Sequence, residues 1–454
     1  TPAPAPVAPG RRGPGWRGGG WRGPGRLSLL AAVIAAACVL AVVVAGKNSG
    51  QPGTDRAAVS RQLATEASAR RQGDPNLAGQ LAVAAYRIAP TAEARRAMVA
   101  SFVATSAVSL PQRGAKVLDV AWDADGRALA EADADGRVRL WDLSDRRKPV
   151  LTADLGPEMT GQANGVALSA DGRRLAVGGA DNTARLWADR MWEGNASDAS
   201  GQPSRLDGHI SPVVRLLFDP TGKLLVTAGA DGTVGLWNIA DPRHPVSLTF
   251  LTNRGGLVTD IALRPDGRLL ATAAVNETVR LWDLASPGQP QQIATMTGHV
   301  GAVVTVAFNR NGHLAVTGGD DNTLRLWDLS DPTKPLAVSV LAVHSNRVTG
   351  AAFGTDGLLV SAGADGAIVF WDATAKPVEL TRLMSRSTTA VSRLAVSGDG
   401  HAFAAGGADG DLRVLSTDPD TLAQAACADP RFRLDPEGWR RWVPRLPYSD
   451  PCPR

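Results

Sequence analysis

One unit recurs along this chain from residue 115 to residue 416, and no other feature limits the fold as tightly. Its marker is a tryptophan, at Trp141, Trp187, Trp237, Trp282, Trp327 and Trp371, with Leu415 at the seventh place. Successive spacings are 46, 50, 45, 45, 44 and 44 residues. This accounts for an odd composition, 12 Trp against 8 Phe and 2 Tyr, because six of the twelve occupy one repeat position. Each unit begins with an alternating apolar stretch, such as VVTVAF at 303–308, and a turn follows. The turn pairs are Asp125-Gly126, Asp171-Gly172, Thr221-Gly222, Asp266-Gly267, Asn311-Gly312, Asp356-Gly357 and Asp399-Gly400. Glycine accepts positive φ there and Asp or Asn tolerates it, which is what a tight hairpin needs. A second strand, a second turn and a third strand ending at the tryptophan come next. A Pro-bearing loop then leads to a fourth extended run, such as PLAVSVL at 335–341. Four short strands per unit, with no helical period, predict a four-stranded blade.

This grammar resembles the WD-repeat β-propeller family over residues 102–417. Trp-Asp stands intact at Trp141-Asp142, Trp282-Asp283, Trp327-Asp328 and Trp371-Asp372, and becomes Trp237-Asn238 and Trp187-Ala188 elsewhere. The resemblance implies an all-β, seven-bladed propeller. It also implies a buried tetrad of hydrogen-bonding side chains in each complete blade. In the third unit these are His209, Thr227, Asp231 and Trp237. In the fifth they are His299, Thr317, Asp321 and Trp327, and in the sixth His344, Ser361, Asp365 and Trp371. The other four units carry Arg113, Met159, Arg254 and Ser387 where the family has His, while keeping Asp135, Asp181, Asn276 and Asp409 in the second turn. Those blades are expected to rely on packing alone. The seventh unit stops after its third strand, Leu412–Ser416. The stretch FVATSAVSL at 102–110 has no blade of its own and is expected to supply the missing outer strand, closing the ring and removing open sheet edges.

Ahead of the repeats the composition changes twice. Residues 1–26 are rich in Pro and Gly, hold no acid, and predict a disordered basic segment. Residues 27–46 are an uncharged apolar run of 20, the length of a membrane-spanning helix. Arg11, Arg12, Arg17, Arg22 and Arg26 precede it, so the positive-inside rule puts the N-terminus in the cytoplasm and the repeats outside. The alternative is a cleaved signal peptide and a secreted chain. Residues 54–104 then read as a helical stalk of two or three short antiparallel helices. Thr54 or Asp55 is the first cap, and Gly73-Asp74-Pro75 and Pro90 are the breaks. After the repeats, the tail at 418–454 carries a short helix, Trp439, Trp442 and two cysteines. Cys427 and Cys452 are a candidate disulfide, which extracytoplasmic placement would preserve; two free thiols are the alternative.

The chemistry of an enzyme is not legible. Three Cys exclude a multi-cysteine zinc site, and the six His show no metalloprotease spacing. No glycine loop is placed to cradle a phosphate and no nucleophile elbow is present. Glu131, Asp133, Asp135 and Asp142 loosely imitate a calcium loop but coincide with repeat positions. Arg139, Arg185, Arg280, Arg325 and Arg413 recur two residues before the Trp position and read as repeat positions with solvated heads. The formal charge is only +4, with five arginines before residue 27, so no nucleic-acid footprint is evident. The expectation is a membrane-anchored, non-enzymatic scaffold without a cofactor, binding a protein or peptide through its loop faces. Its layout also resembles the C-terminal halves of bacterial signalling NTPases and kinases with WD repeats. The alternative is therefore the sensor or regulatory arm of a larger protein of that kind.

Overall fold

The computed structural model describes residues 52–111, 114–156, 160–189, 202–253, 256–384 and 389–452. The basic segment at 1–26 and the apolar run at 27–46 lie outside them. No described helix is long and apolar enough to cross a membrane.

Among the described residues, twenty-eight strands form seven antiparallel sheets of four. The innermost strands are β2 (Val117–Trp122), β6 (Ala163–Leu168), β10 (Val213–Phe218), β14 (Val258–Leu263), β18 (Val303–Phe308), β22 (Val348–Phe353) and β26 (Val391–Val396). Each is followed by the hairpin foreseen from the Asp-Gly, Asn-Gly and Thr-Gly pairs. The glycine of every pair has φ between 63 and 76°, where a Cβ would be strained. Second and third strands are almost continuously buried, such as Leu224–Gly229 and Leu358–Gly363, because a blade is covered by a neighbour on both faces. Outer strands are largely exposed, as at Leu336–Ala342.

Blade seven is completed by the chain's first strand. β1 (Val108–Ser109) runs antiparallel to β28 (Leu412–Ser416), with Val108 opposite Val414 and Ser109 opposite Arg413. The Leu110 N–H donates to the Leu412 carbonyl at 2.8 Å. Only the end of the 102–110 stretch is extended. Phe102 still closes a helix, and Val103–Ser106 makes a 3-10 turn.

Residues 56–454 form one compact unit. Its helices are α1 (Pro52–Arg70), α2 (Pro75–Ile88) and α3 (Ala92–Phe102) before the ring, and α4 (Pro419–Ala428) and α5 (Pro436–Trp442) after it. Asp74 caps α2 by accepting from the Leu77 N–H, and Thr91 caps α3 by accepting from the Ala94 N–H. The helices pack onto the ring. Leu81, Met98, Phe102, Leu422 and Trp439 share one buried core with Ile368, Phe370 and Phe403 of blades six and seven. Arg95 pairs with Asp356 at 2.6 Å and Arg96 with Asp372 at 3.0 Å, which ties α3 to the lower turns of blade six. Phe432 of the tail meets Phe102 edge to face at 4.9 Å between centroids, and Tyr86 donates to Asp420 at 2.9 Å. Cys427 and Cys452 are joined by a disulfide, their Cα atoms 5.2 Å apart.

Candidate functional site

The upper face is the one on which each innermost strand begins, and the three complete tetrads build its loops. In blade five the Trp327 indole N–H donates to the Thr317 hydroxyl at 2.9 Å. Thr317 lies 2.7 Å from Nε2 of His299, whose Nδ1 lies 2.9 Å from Asp321. Blade three repeats this with Trp237–Thr227 at 2.9 Å, Thr227–His209 at 2.8 Å and His209–Asp231 at 3.1 Å. Blade six uses Trp371–Ser361 at 3.1 Å, Ser361–His344 at 2.9 Å and His344–Asp365 at 3.1 Å. Each carboxylate also accepts from the backbone N–H after its histidine: Ile210 at 2.9 Å, Val300 at 3.1 Å and Ser345 at 2.9 Å. The tetrads therefore do more than fill the blade. They fix the loop positions from which Ile210 and Val300 project, 83% and 74% exposed.

Burial pushes the pKa of His299 below its ordinary value, against the pull of Asp321, and His209 and His344 behave likewise. Burial opposes ionisation of Asp321 too. The Val300 N–H and the Thr323 hydroxyl outweigh it, and its pKa ends below the usual carboxylate value. Groups depressed on folding contribute stability that is lost as pH falls. Asp260, raised by burial to about 6, has the opposite sign below that pH. Between about pH 7 and 6 the three imidazoles dominate, given an ordinary histidine pKa near 6.5. The thermal midpoint should accordingly decline over that interval, as pH-dependent calorimetry would show. Asp321→Ala should cost about 1–3 kcal/mol, since it strands His299 and the Val300 N–H; an unchanged unfolding midpoint would contradict the role given to this carboxylate.

The remaining blades do not rely on packing alone. In blade one the Trp141 indole donates to Glu131 at 2.9 Å, so a buried carboxylate replaces the hydroxyl. Arg139 takes the place of the imidazole, paired with Asp133 and, at 3.4 Å, with Asp135. In blade two Arg185 holds Asp181 at 3.1 Å. Trp282 of blade four donates to Thr272 at 3.1 Å, and Arg280 bonds Asn253. In blade seven Arg413 pairs with Asp411 at 2.5 Å. Four of the five recurrent arginines, Arg139, Arg185, Arg280 and Arg413, are therefore engaged, and the Arg139 side chain is only 3% exposed, contrary to the solvated heads expected. Arg113, Met159, Arg254 and Ser387 lie outside the described residues. The acidic residues of the imitation calcium loop are used by this network: Glu131 by Trp141, and Asp133 and Asp135 by Arg139.

The channel is layered by a register irregularity that recurs after the first residue of all seven innermost strands. The residue past the irregularity is Asp119, Gly165, Arg215, Asp260, Thr305, Gly350 and Arg393 in blades one to seven. Four of these form an ionic septum. Arg393 donates to Asp119 at 3.0 Å and to Asp260 at 2.9 Å. Arg215 donates to Asp260 at 3.1 Å and approaches Asp119 at 3.9 Å. Backbone N–H groups of Val166 and Val306 complete the two carboxylates at 3.1 and 3.0 Å. Gly165 and Gly350 precede the arginine blades, and a Cβ there would come within 2.9 Å of the Val214 carbonyl or 2.7 Å of the Leu394 Cβ. Below the septum the channel is lined by Ala121, Ala167, Leu217, Ala262, Ala307, Ala352 and Ala395. Above it lies a vestibule of about 520 Å³. No single unit read alone reveals this charged cluster. The signal is a charged residue at the third place of four mainly apolar strands, visible only on reading the seven units in register.

A sequence model of the family described as "WD domain, G-beta repeat" matches residues 106–142, 155–188, 201–238, 246–283, 290–328 and 336–372. The chain belongs to the WD-repeat family. Its seventh WD repeat, with Leu415 in place of tryptophan, falls outside those matches but forms a blade all the same. A stretch of 99 residues is 36% identical to the NAD(+) hydrolase ApTIR of Actinoplanes sp., covering 22% of this chain and 14% of that protein. A stretch of 136 residues is 34% identical to Coronin-7 of Rattus norvegicus, covering 29% of this chain and 14% of that one. The WD-repeat chain thus matches only about a seventh of the length of either relative. WD-repeat propellers are characteristically protein-interaction scaffolds, a property of the family that does not fix the site or the partner.

Proposed function

We propose that this WD-repeat chain is a non-enzymatic interaction module that takes a protein or peptide on its upper face. The observation that carries this is an apolar arc over blades three to five. Ile210 and Val300 project from its loops, and Leu257 and Val275, 49% and 40% exposed, line the vestibule on the same face. Clustered exposed apolar side chains on a folded surface mark interaction sites. The septum favours binding over catalysis, because its carboxylates are already engaged by arginines. Replacing Ile210 and Val300 together by aspartate should leave the fold intact, since neither is buried. It should remove a defined set of partners from quantitative pull-downs of the full chain. Identical capture by wild type and variant would place binding elsewhere.

A second reading makes the module the sensor or regulatory arm of a larger signalling protein, anchored through residues 27–46 with the propeller outside the cytoplasm. The partial match to an NAD(+) hydrolase supports the first element, since 99 residues of this chain resemble part of a longer protein named as an enzyme. The Cys427–Cys452 bridge supports the second, because disulfides persist in oxidising compartments. Membrane fractionation followed by protease shaving of intact cells tests the topology: release of propeller fragments supports it, and full protection argues against it.

A further inference from the structure

The vestibule above the septum has two unlike walls. Blades three to five contribute the apolar Val214, Leu257, Val275 and Val304, with Thr259 among them, whose hydroxyl donates to the Val303 carbonyl. The facing wall carries Gln162 and Asn164 of blade two and Ser392 of blade seven. Among the described residues, none of these three side chains has a hydrogen-bond partner, so their donors and acceptors are available to a ligand. The charges work differently. Three arginines line the space, and each has an acid beside it: Arg215 and Arg393 share Asp119 and Asp260, and Arg347 lies 3.6 Å from Asp320. A charged side chain entering the vestibule would lose its hydration without finding a free counter-charge. A neutral one loses nothing of the kind.

We infer that the vestibule selects a neutral, extended peptide segment, its main chain met by the amides of Gln162 and Asn164 and one apolar side chain lodged against the wall of blades three to five. The inference rests on the reading of the upper face as the binding face, and adds to it the chemistry of the partner. Side-chain amides carry both a donor and an acceptor and so match a peptide bond in either orientation. A cavity of about 520 Å³ is ample for one large aliphatic or aromatic side chain with its flanking backbone. The septum acts here as an electrostatic floor: it keeps the two arginines from recruiting acidic partners.

The test is a selection of displayed random twelve-residue peptides on the immobilised full chain. Enriched sequences should share a Leu, Ile, Met or Phe position and lack a conserved charge, and their binding should change little with salt. Asn164→Ala and Gln162→Ala should each weaken an enriched peptide by roughly 5–10-fold, the loss of a net hydrogen bond. Asn164→Asp, nearly isosteric, should shift the selection towards peptides with Lys or Arg. An acidic or basic consensus with the wild-type chain would overturn the inference while leaving the upper face as the binding site, provided the Ile210/Val300 aspartate variant still abolishes binding. Peptides indifferent to that variant, or no enrichment at all, would overturn both.

Discussion

Arg393→Ala is expected to lower the stability of the propeller by about 3–5 kcal/mol, the range for removing one partner of a buried ion pair. The guanidinium lies on the first strand of the last blade and reaches Asp119 of blade one and Asp260 of blade four. It therefore braces the ring across its axis, independently of the β1–β28 pairing at the rim. Without it, two carboxylates that are 5% and 6% exposed are left to Arg215 alone. Burial already pushes both pKa values up, and Asp260 to about 6. Losing Arg393 raises them further, and a group whose folded pKa is raised loses stability as pH climbs through that value. The deficit of Arg393→Ala should thus be larger at pH 8 than at pH 5 in paired urea titrations. Adding Asp119→Asn and Asp260→Asn should recover part of it. A deficit that is small, or equal at the two pH values, would show that the septum is not a mutually dependent unit.

The second large effect concerns the tail. Replacing both Cys427 and Cys452 by serine should cost about 3–3.5 kcal/mol on the loop-entropy account of a closed loop of this length. The bond joins α4 to the last described residue, Cys452, which is itself 1% exposed within the helical core. Between them the chain lays Phe432, Trp439 and Leu446 against the helices that precede the ring. The Arg70 guanidinium over Trp442, at 4.7 Å, adds a contact that depends on the same placement. Unfolding followed by tryptophan fluorescence should shift to lower temperature in the double-serine chain, whereas the β-sheet circular dichroism of the folded state should stay unchanged. An unaltered midpoint would mean that the helical core holds the tail without the bond.

Repeat-level features were legible because each is local. The turn glycines, the alternation of the innermost strands and the positions of the Trp327, Thr317, Asp321 and His299 set all lie within one unit of about 45 residues. The physics that needs them acts within that unit. The strand at 108–109 could be anticipated by counting, since a seventh blade with three strands leaves one edge unpaired. Substitutions within the pattern were harder. Glu131 stands where four of the other units have Thr or Ser, and it serves Trp141 as an acceptor, which a search for hydroxyls passes over. The recurrent arginines read as surface residues because a long aliphatic stem beside a carboxylate looks the same in sequence whether its head is wet or buried.

The sequence by itself determined the period, the four-stranded unit, the number of units and the three histidine networks. Hydrophobic alternation and turn chemistry are written in consecutive residues, and seven repetitions remove the ambiguity of any one. The septum, the two-walled vestibule above it and the seat of the helices on blades six and seven were decided only by the tertiary structure. Asp119, Arg215, Asp260 and Arg393 are spread over 275 residues on four strands. They become neighbours only when the ring closes and brings the innermost strands around one axis, and burying two carboxylates is then tolerable only because two guanidinium groups arrive with them.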